Sequence, residues 1–277
     1  MNTAGIFKTN SIDEVIEQTK DKVRKNPDSA DLRANLFQLL ALKGDWTRAV
    51  DSLKLSAEMN SQAQPVAMLY VAAVNAEVDR QNVFQGNGRP AIFGDADEWM
   101  GYLIASIEEK DPSKSEELLD KAMELAPEVS GTIKTRNGEE VNFEWLADGD
   151  SRLGPMLEFL NNGQYGWVPF NEIESLRIIE PSGISDLIWS QAELVLTNGR
   201  SIVGMVPNRY PGDYASLDDK FNLGHRTEWV PLFESEESEY YKGVGQKTYI
   251  SDLGDHPILE IESIKFNPVL TQDDAES

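Results

Sequence analysis

The sequence predicts an α+β protein with a helical first half and a mainly antiparallel β second half. Three observations predict this. Apolar residues recur at helical spacing from Ser11 to Pro127. Short strand-like runs replace that period after Pro127, two pairs of them turning on Asn137-Gly138 and Asn198-Gly199, dipeptides preferred in two-residue hairpins. Finally, Gly44-Asp45-Trp46-Thr47-Arg48-Ala49 reads as the corner of a tetratricopeptide-like helical hairpin. Gly44 ends one helix, Asp45 caps the next, Trp46 fills the angle and Ala49 lets the helices approach. The expected organisation is a tetratricopeptide-like helical repeat domain over 1–128, a barrel-like α+β domain with one or two helices over 129–267, and an acidic tail over 268–277.

Each element has a local reason. Ser11, with Glu14 three positions on, forms a capping box for a helix carrying Ile12, Val15, Ile16 and Val23, which Asn26-Pro27 stops. Asp28 or Ser29 caps a second helix, whose Leu32, Leu36, Leu39, Leu40 and Ala41 lead to Gly44. A third runs from Trp46 to about Met59, and Pro65 suits the first turn of a fourth carrying Met68, Leu69, Val71, Ala72 and Val74. Glycines and Pro90 make 84–94 a loop. A fifth helix begins near Asp97 and a sixth covers 115–126. Pro27 and Pro127 stand 100 residues apart, close to three periods of about 34, so the six helices read as a degenerate repeat array. Beyond Pro127 a hairpin joins 131–136 to 141–145, and one helix is expected over 151–161. Strands are expected at 165–170, 176–179, 187–189, 192–197, 201–206, 226–233, 246–250 and 258–266.

The 277 residues carry 25 basic and 48 acidic side chains, a net charge of −23. Before Pro127 there are 14 basic and 21 acidic residues; from Pro127 on, 11 and 27, so net charge is −7 and −16. Such acidity argues against nucleic-acid binding, which needs clustered Lys and Arg, and against docking on anionic membranes. It also keeps a cytoplasmic protein soluble. There is no cysteine, which excludes disulfides, thiolate metal sites and thiol nucleophiles. The N-terminus lacks the apolar run of a signal peptide, and the longest apolar run, 67–74, is too short to span a bilayer. The cytoplasm is the expected compartment.

Catalytic signals are weak. The two histidines, His225 and His256, have no second histidine at ligand spacing. Asp148-Gly149-Asp150 places two carboxylates on a turn, but no Glu follows at calcium-loop spacing, and capping by Asp150 or Ser151 of a helix starting near Arg152 is the plainer account. Lys242-Gly243-Val244-Gly245 lacks the third glycine of a phosphate loop. No cofactor or metal site is read. Pro207 and Pro211 stiffen a loop displaying Arg209 and Tyr210, either for protein contact or as a buried arginine–carboxylate pair with the tyrosine packed beneath. The candidate binding residues of the second half are Asp148, Asp150, Arg152, Arg209, Tyr210 and Arg226. In the first half, setting Gly44-Asp45-Trp46 at the corner puts Asp31, Ala34, Gln38 and Ala41 on a concave side, where small and amide residues would leave room for a guest helix.

Several runs together resemble the ImpE/TagJ family of type VI secretion accessory proteins: Phe143 through Pro155, Tyr165-Gly166-Trp167-Val168-Pro169-Phe170, Asp186-Leu187-Ile188-Trp189, Arg209-Tyr210-Pro211-Gly212 and Arg226-Thr227-Glu228-Trp229. The loop from Val83 to Gly94 and Pro257-Ile258-Leu259-Glu260-Ile261 fit as well, so the resemblance extends from about residue 11 to 266. It implies an ImpE-type C-terminal domain and a non-enzymatic adaptor of a contractile secretion machine. That adaptor would bind the N-terminal helix of the small sheath subunit, TssB, and influence sheath assembly or its recycling by the ATPase ClpV. Helix-in-groove capture agrees with the reading of the helical half. Two other readings compete. One is a hydrolase or transferase whose Asp148, Asp150, Arg209 and His225 converge in a pocket; the other is an acidic mimic that covers a basic surface.

Overall fold

The computed structural model describes residue 7, residues 9–234 and residues 238–268. Apart from position 268, the expected acidic tail lies outside the described residues.

Six helices come first. α1 (Ile12–Lys25) opens on the capping box: Glu14 N donates to Ser11 Oγ at 3.2 Å and Ser11 N to Glu14 Oε2 at 2.8 Å. Ser29 caps α2 (Ala30–Leu42). Gly44 turns the chain at φ +71°, a conformation that only glycine adopts freely, and Asp45 caps α3 (Trp46–Met59). α4 (Gln64–Phe84) has Pro65 in its first turn, followed by α5 (Glu98–Glu108) and α6 (Pro112–Leu125). α6 starts earlier than the sequence pattern indicated, because Asp111 caps it and Pro112 takes the first position. α2 packs on α3 and α5 on α6, but the lengths run 14, 13, 14, 21, 11 and 14 residues. Three equal hairpins, as a regular repeat requires, are not evident.

The loop between α4 and α5 holds a two-residue strand, β1 (Ala91–Ile92), that pairs parallel with β6 (Gln164–Pro169). The other strands of the large sheet are β2 (Gly131–Thr135), β3 (Glu140–Phe143), β5 (Met156–Asn161), β7 (Ile173–Ile178), β8 (Trp189–Leu196), β9 (Ser201–Pro207) and β14 (Ile261–Phe266). Their order is β1-β6-β5-β9-β8-β7-β14-β2-β3, and all pairs except β1–β6 are antiparallel. Among the described residues this ladder starts at β1 and stops at β3, so its hydrogen bonding does not close into the expected barrel. Two small sheets complete the fold, one of β4 (Leu146–Asp148), β12 (Thr248–Ser251) and β13 (Gly254–Pro257), the other of β10 (Thr227–Pro231) and β11 (Tyr241–Gly245), with the short α7 (Asp219–Asn222) before β10.

The helix expected over 151–161 is a correction: residues 151–155 form turns and 156–161 are β5. Met156 and Leu160 face the helices and belong to one core, while Leu157 and Phe159 face the opposite core. A strand buried on both faces loses the polar alternation that marks it, leaving an apolar run that imitates a helix. The expected cap at Asp150 or Ser151 falls with that helix. Likewise Ser185–Leu187 is a 3-10 turn, and the strand expected over 187–189 begins only at Trp189.

The helices do not stand apart as an open curved stack. The first core joins Phe37, Leu42, Leu53, Tyr70 and Val74 of the helices to Trp167, Trp189 and Met205 of the sheet. The second fills the other sheet face, from Phe159 through Leu194 to Ile264 and Ile133. Phe37, Tyr70, Trp46 and Trp189 form a chain of aromatic contacts with ring centroids 5.4–6.3 Å apart, which seals the helix–sheet boundary.

Candidate functional site

Polar residues predicted from the sequence meet others inside that boundary. Arg80 on α4 donates Nε to Glu158 Oε1 at 2.6 Å and Nη2 to Oε2 at 2.8 Å, and its Nη1 reaches Glu77 Oε1 at 3.0 Å. Lys247 Nζ pairs with Glu158 Oε2 at 2.7 Å and with Asp148. Tyr210 OH donates to Asp148 Oδ1, Trp189 Nε1 to Glu77, and Tyr165 OH to Glu158. All of these side chains are buried. Burial opposes the charge of Glu158, but Arg80 and Lys247 outweigh it and hold this carboxyl well below the usual range. At Asp148 burial wins and pushes the carboxyl up to about 6 against the pull of Lys247. The ammonium itself is disfavoured by burial yet is held above its ordinary range by Asp148 and Glu158. The two partners thus differ because Lys247 is shared: Glu158 has a second cation in Arg80, and Asp148 does not.

This cluster is a structural joint. Asp148, Asp150, Arg152, Arg209 and Tyr210 are all drawn into the region, while Arg226 is exposed and pairs with Glu228. Asp150 holds Arg152 through Oδ1 at 2.8 Å and Oδ2 at 2.6 Å, and accepts from Gly243 N. Arg209 is buried, but among the described residues no carboxylate pairs with it. Its Nη1 donates to the carbonyls of Leu42 and Asn222, and its guanidinium lies 4.2 Å from the Tyr214 ring centroid. Asp148, Asp150 and Arg209 are buried while His225 is exposed, so the four groups of the catalytic reading do not share one environment. Among the described residues no group of three or more His, Asp or Glu is placed to hold a metal ion, and no helix is long and apolar enough to cross a membrane.

The residues expected to line a helical groove lie elsewhere than on an open trough. Asp31 is exposed and Ala34 half-buried. Gln38 Oε1 accepts from Ile184 N at 3.1 Å and Ser185 N at 3.2 Å, and Ala41 is fully buried. The chain's own turn at Ser185–Leu187 therefore covers that face. This is a second correction: the sheet half occupies the space in which a guest helix was expected.

An apolar surface is open on the other side of α4. Met68 is 74 % exposed, Val66 53 % and Leu69 45 %, with Val203 of β9 at 69 % and Met59 of α3 at 42 %. One cleft of about 370 Å³ runs between Met68, Leu69 and Ala72 and the sheet residues Leu160, Val203 and Met205. A second, of about 500 Å³, lies between α3 and α4, with Ala57, Ala67, Val71 and Ala72 among its walls. Met68 and Ala72 line both, so the two clefts form one continuous apolar face. The sheet side is fixed by a third Asn-Gly turn, Asn162-Gly163, whose Gly163 at φ +80° closes the β5–β6 hairpin against Ala72. The signal for this face was in the sequence. Residues 67–74 are its longest apolar run; one side of that run buries Ala67, Tyr70, Ala73 and Val74, and the other side is left over.

A protein of this kind has a helix–sheet body joined by buried ion pairs and presents an apolar face. The comparisons with known proteins identify its class. The model of the ImpE protein family matches residues 140–265. The type VI secretion system accessory component TagJ of Pseudomonas aeruginosa is 35 % identical over 266 residues, covering 95 % of this chain and 90 % of that protein. The chain belongs to the ImpE/TagJ family, which supports an accessory role in type VI secretion. A crystal structure of a Vibrio parahaemolyticus protein shares the fold at a TM-score of 0.81 and 23 % identity, over 94 % of this chain and 95 % of the other.

Proposed function

We propose that this protein is a non-catalytic adaptor that binds the N-terminal helix of the small contractile-sheath subunit, TssB, and thereby acts on sheath assembly or its ClpV-dependent recycling in the bacterial cytoplasm. The observation that carries the reading is the exposed apolar face of α4, where Val66, Met68 and Leu69 stand open beside two clefts. An amphipathic helix meets its partner through anchors at i, i+3, i+4 and i+7. The α3–α4 cleft is lined at that spacing, by Gln64, Ala67, Met68, Val71, Ala72 and Asn75 of α4. At 1.5 Å per residue those twelve positions run roughly 17 Å, the length of about three helical turns. Exposed apolar patches of this kind on an otherwise charged protein mark interaction sites.

The test is a titration of the full-length protein with a synthetic peptide of the sheath subunit's N-terminal helix. Micromolar binding that tolerates moderate salt, and that Met68→Glu weakens by about tenfold or more, supports the reading. No binding by a natively folded sample overturns it. Steep loss of binding with salt would favour charge-driven capture instead.

A further inference from the structure

The docking face carries an oxidisable anchor. We propose that Met68 is a modification site, at which a peroxide-class oxidant converts the thioether to the sulfoxide and so closes the α4 face to an apolar partner. This rests on the docking reading above. Three observations support it. The chain contains no cysteine, so its methionine thioethers are the sulfur groups that meet an oxidant. Among the described methionines Met68 is the most open at 74 % exposure, and Met59 follows; Met100, Met156 and Met205 are buried. Finally, Met68 lines both clefts, so any change in its polarity acts on the whole face.

The chemistry is a single oxygen transfer. A sulfur lone pair attacks one oxygen of hydrogen peroxide, an S–O bond forms as the O–O bond breaks, and the departing oxygen takes up the proton and leaves as water. Sulfur is oxidised by two electrons and the peroxide is reduced by two. A flexible apolar side chain thereby becomes polar and chiral, and burying it against Ala67, Val71 and Ala72 then requires desolvating an oxygen that these neighbours cannot hydrogen-bond.

The experiment treats the full-length protein with graded hydrogen peroxide, quenches it, maps the gain of one oxygen at each of the six described methionines by peptide mass analysis, and titrates the treated protein with the sheath-helix peptide. Met68 is expected to oxidise first and Met100, Met156 and Met205 last, while circular dichroism stays native and peptide affinity falls about tenfold. For Met68→Leu, a volume-conserving change, the affinity after treatment should equal that variant's own affinity before treatment, whatever its starting value. The proposal is overturned if Met68 oxidises no faster than Met156, if the oxidised native protein binds as before, or if Met68→Leu loses affinity equally. Should the untreated protein ignore the peptide, the docking reading falls, and the order of oxidation, read by mass alone, still decides whether Met68 is the modified residue.

Discussion

Arg80 on α4 and Glu158 on β5 face each other as a two-pronged ion pair, both fully buried between the helices and the sheet. The pair is extended by Glu77 on one side and by Lys247 and Asp148 on the other. A buried charge left without its partner is costly, so this chain of contacts fixes how α4 sits on the strands and holds the outer face of α4 in place beside β9.

Arg80→Ala removes the stronger partner of Glu158 and leaves that carboxylate with Lys247 and the Tyr165 hydroxyl. We expect a loss of about 3–5 kcal/mol in urea unfolding. A loss below 1 kcal/mol, about what an exposed pair contributes, would show that the pair does not lock the boundary.

Asp148 sets a pH dependence. Its folded carboxyl titrates near 6, above the ordinary 3.8, so between these values the native state binds more protons than the unfolded state. Stability attributable to Asp148 therefore falls as pH rises through this window. Glu158 has the opposite sign, since its contribution is present at neutral pH and is lost only in acid below its ordinary value of 4.5. Relative to Asp148→Asn, the wild type should gain roughly 1 kcal/mol on going from pH 7 to pH 5. Equal stability differences at both pH values, from paired denaturant melts, would contradict this.

Gly163 occupies a left-handed position at φ +80°, and an added Cβ would stand 3.4 Å from that of Ala72. Gly163→Val should cost about 1–2 kcal/mol from the backbone alone and loosen the sheet side of the cleft. An unchanged melting temperature would remove the turn from the account.

Ala41 separates the sequence expectation from the structure. In an open trough Ala41→Trp would block a guest helix and leave stability unaltered. In the observed core, where Ala41 is fully buried, overpacking should cost about 1–3 kcal/mol or more. Thermal melting of the purified variant distinguishes the two.

The helical half was legible because its signals are local. The Ser11–Glu14 box, the Gly44 turn, the Asp45 cap and Pro65 each specify their own few residues, and all occur as read. The Asn-Gly hairpins at 137–138 and 198–199 were legible for the same reason. β5 was not, since burial on both faces erases its alternation, although Asn162-Gly163 offered the same turn signal as the other two hairpins. Long-range partners were beyond reach. That Gln38 caps the Ser185 turn, or that Lys247 divides itself between Asp148 and Glu158, depends on residues about 90–150 positions apart meeting in space. Arg209 was rightly singled out as a candidate for burial, but its acceptors turned out to be backbone carbonyls, which no sequence pattern announces.

The central claim is that the sheath helix lies on the outer face of α4. A photo-crosslinking amino acid placed at position 68 of the full-length protein, with a matched control at the exposed position 31, tests it most directly. The account predicts that the sheath-helix peptide is trapped from position 68 and not from position 31. Crosslinking from position 31 with none from 68 would contradict it and return the binding site to the α2 side.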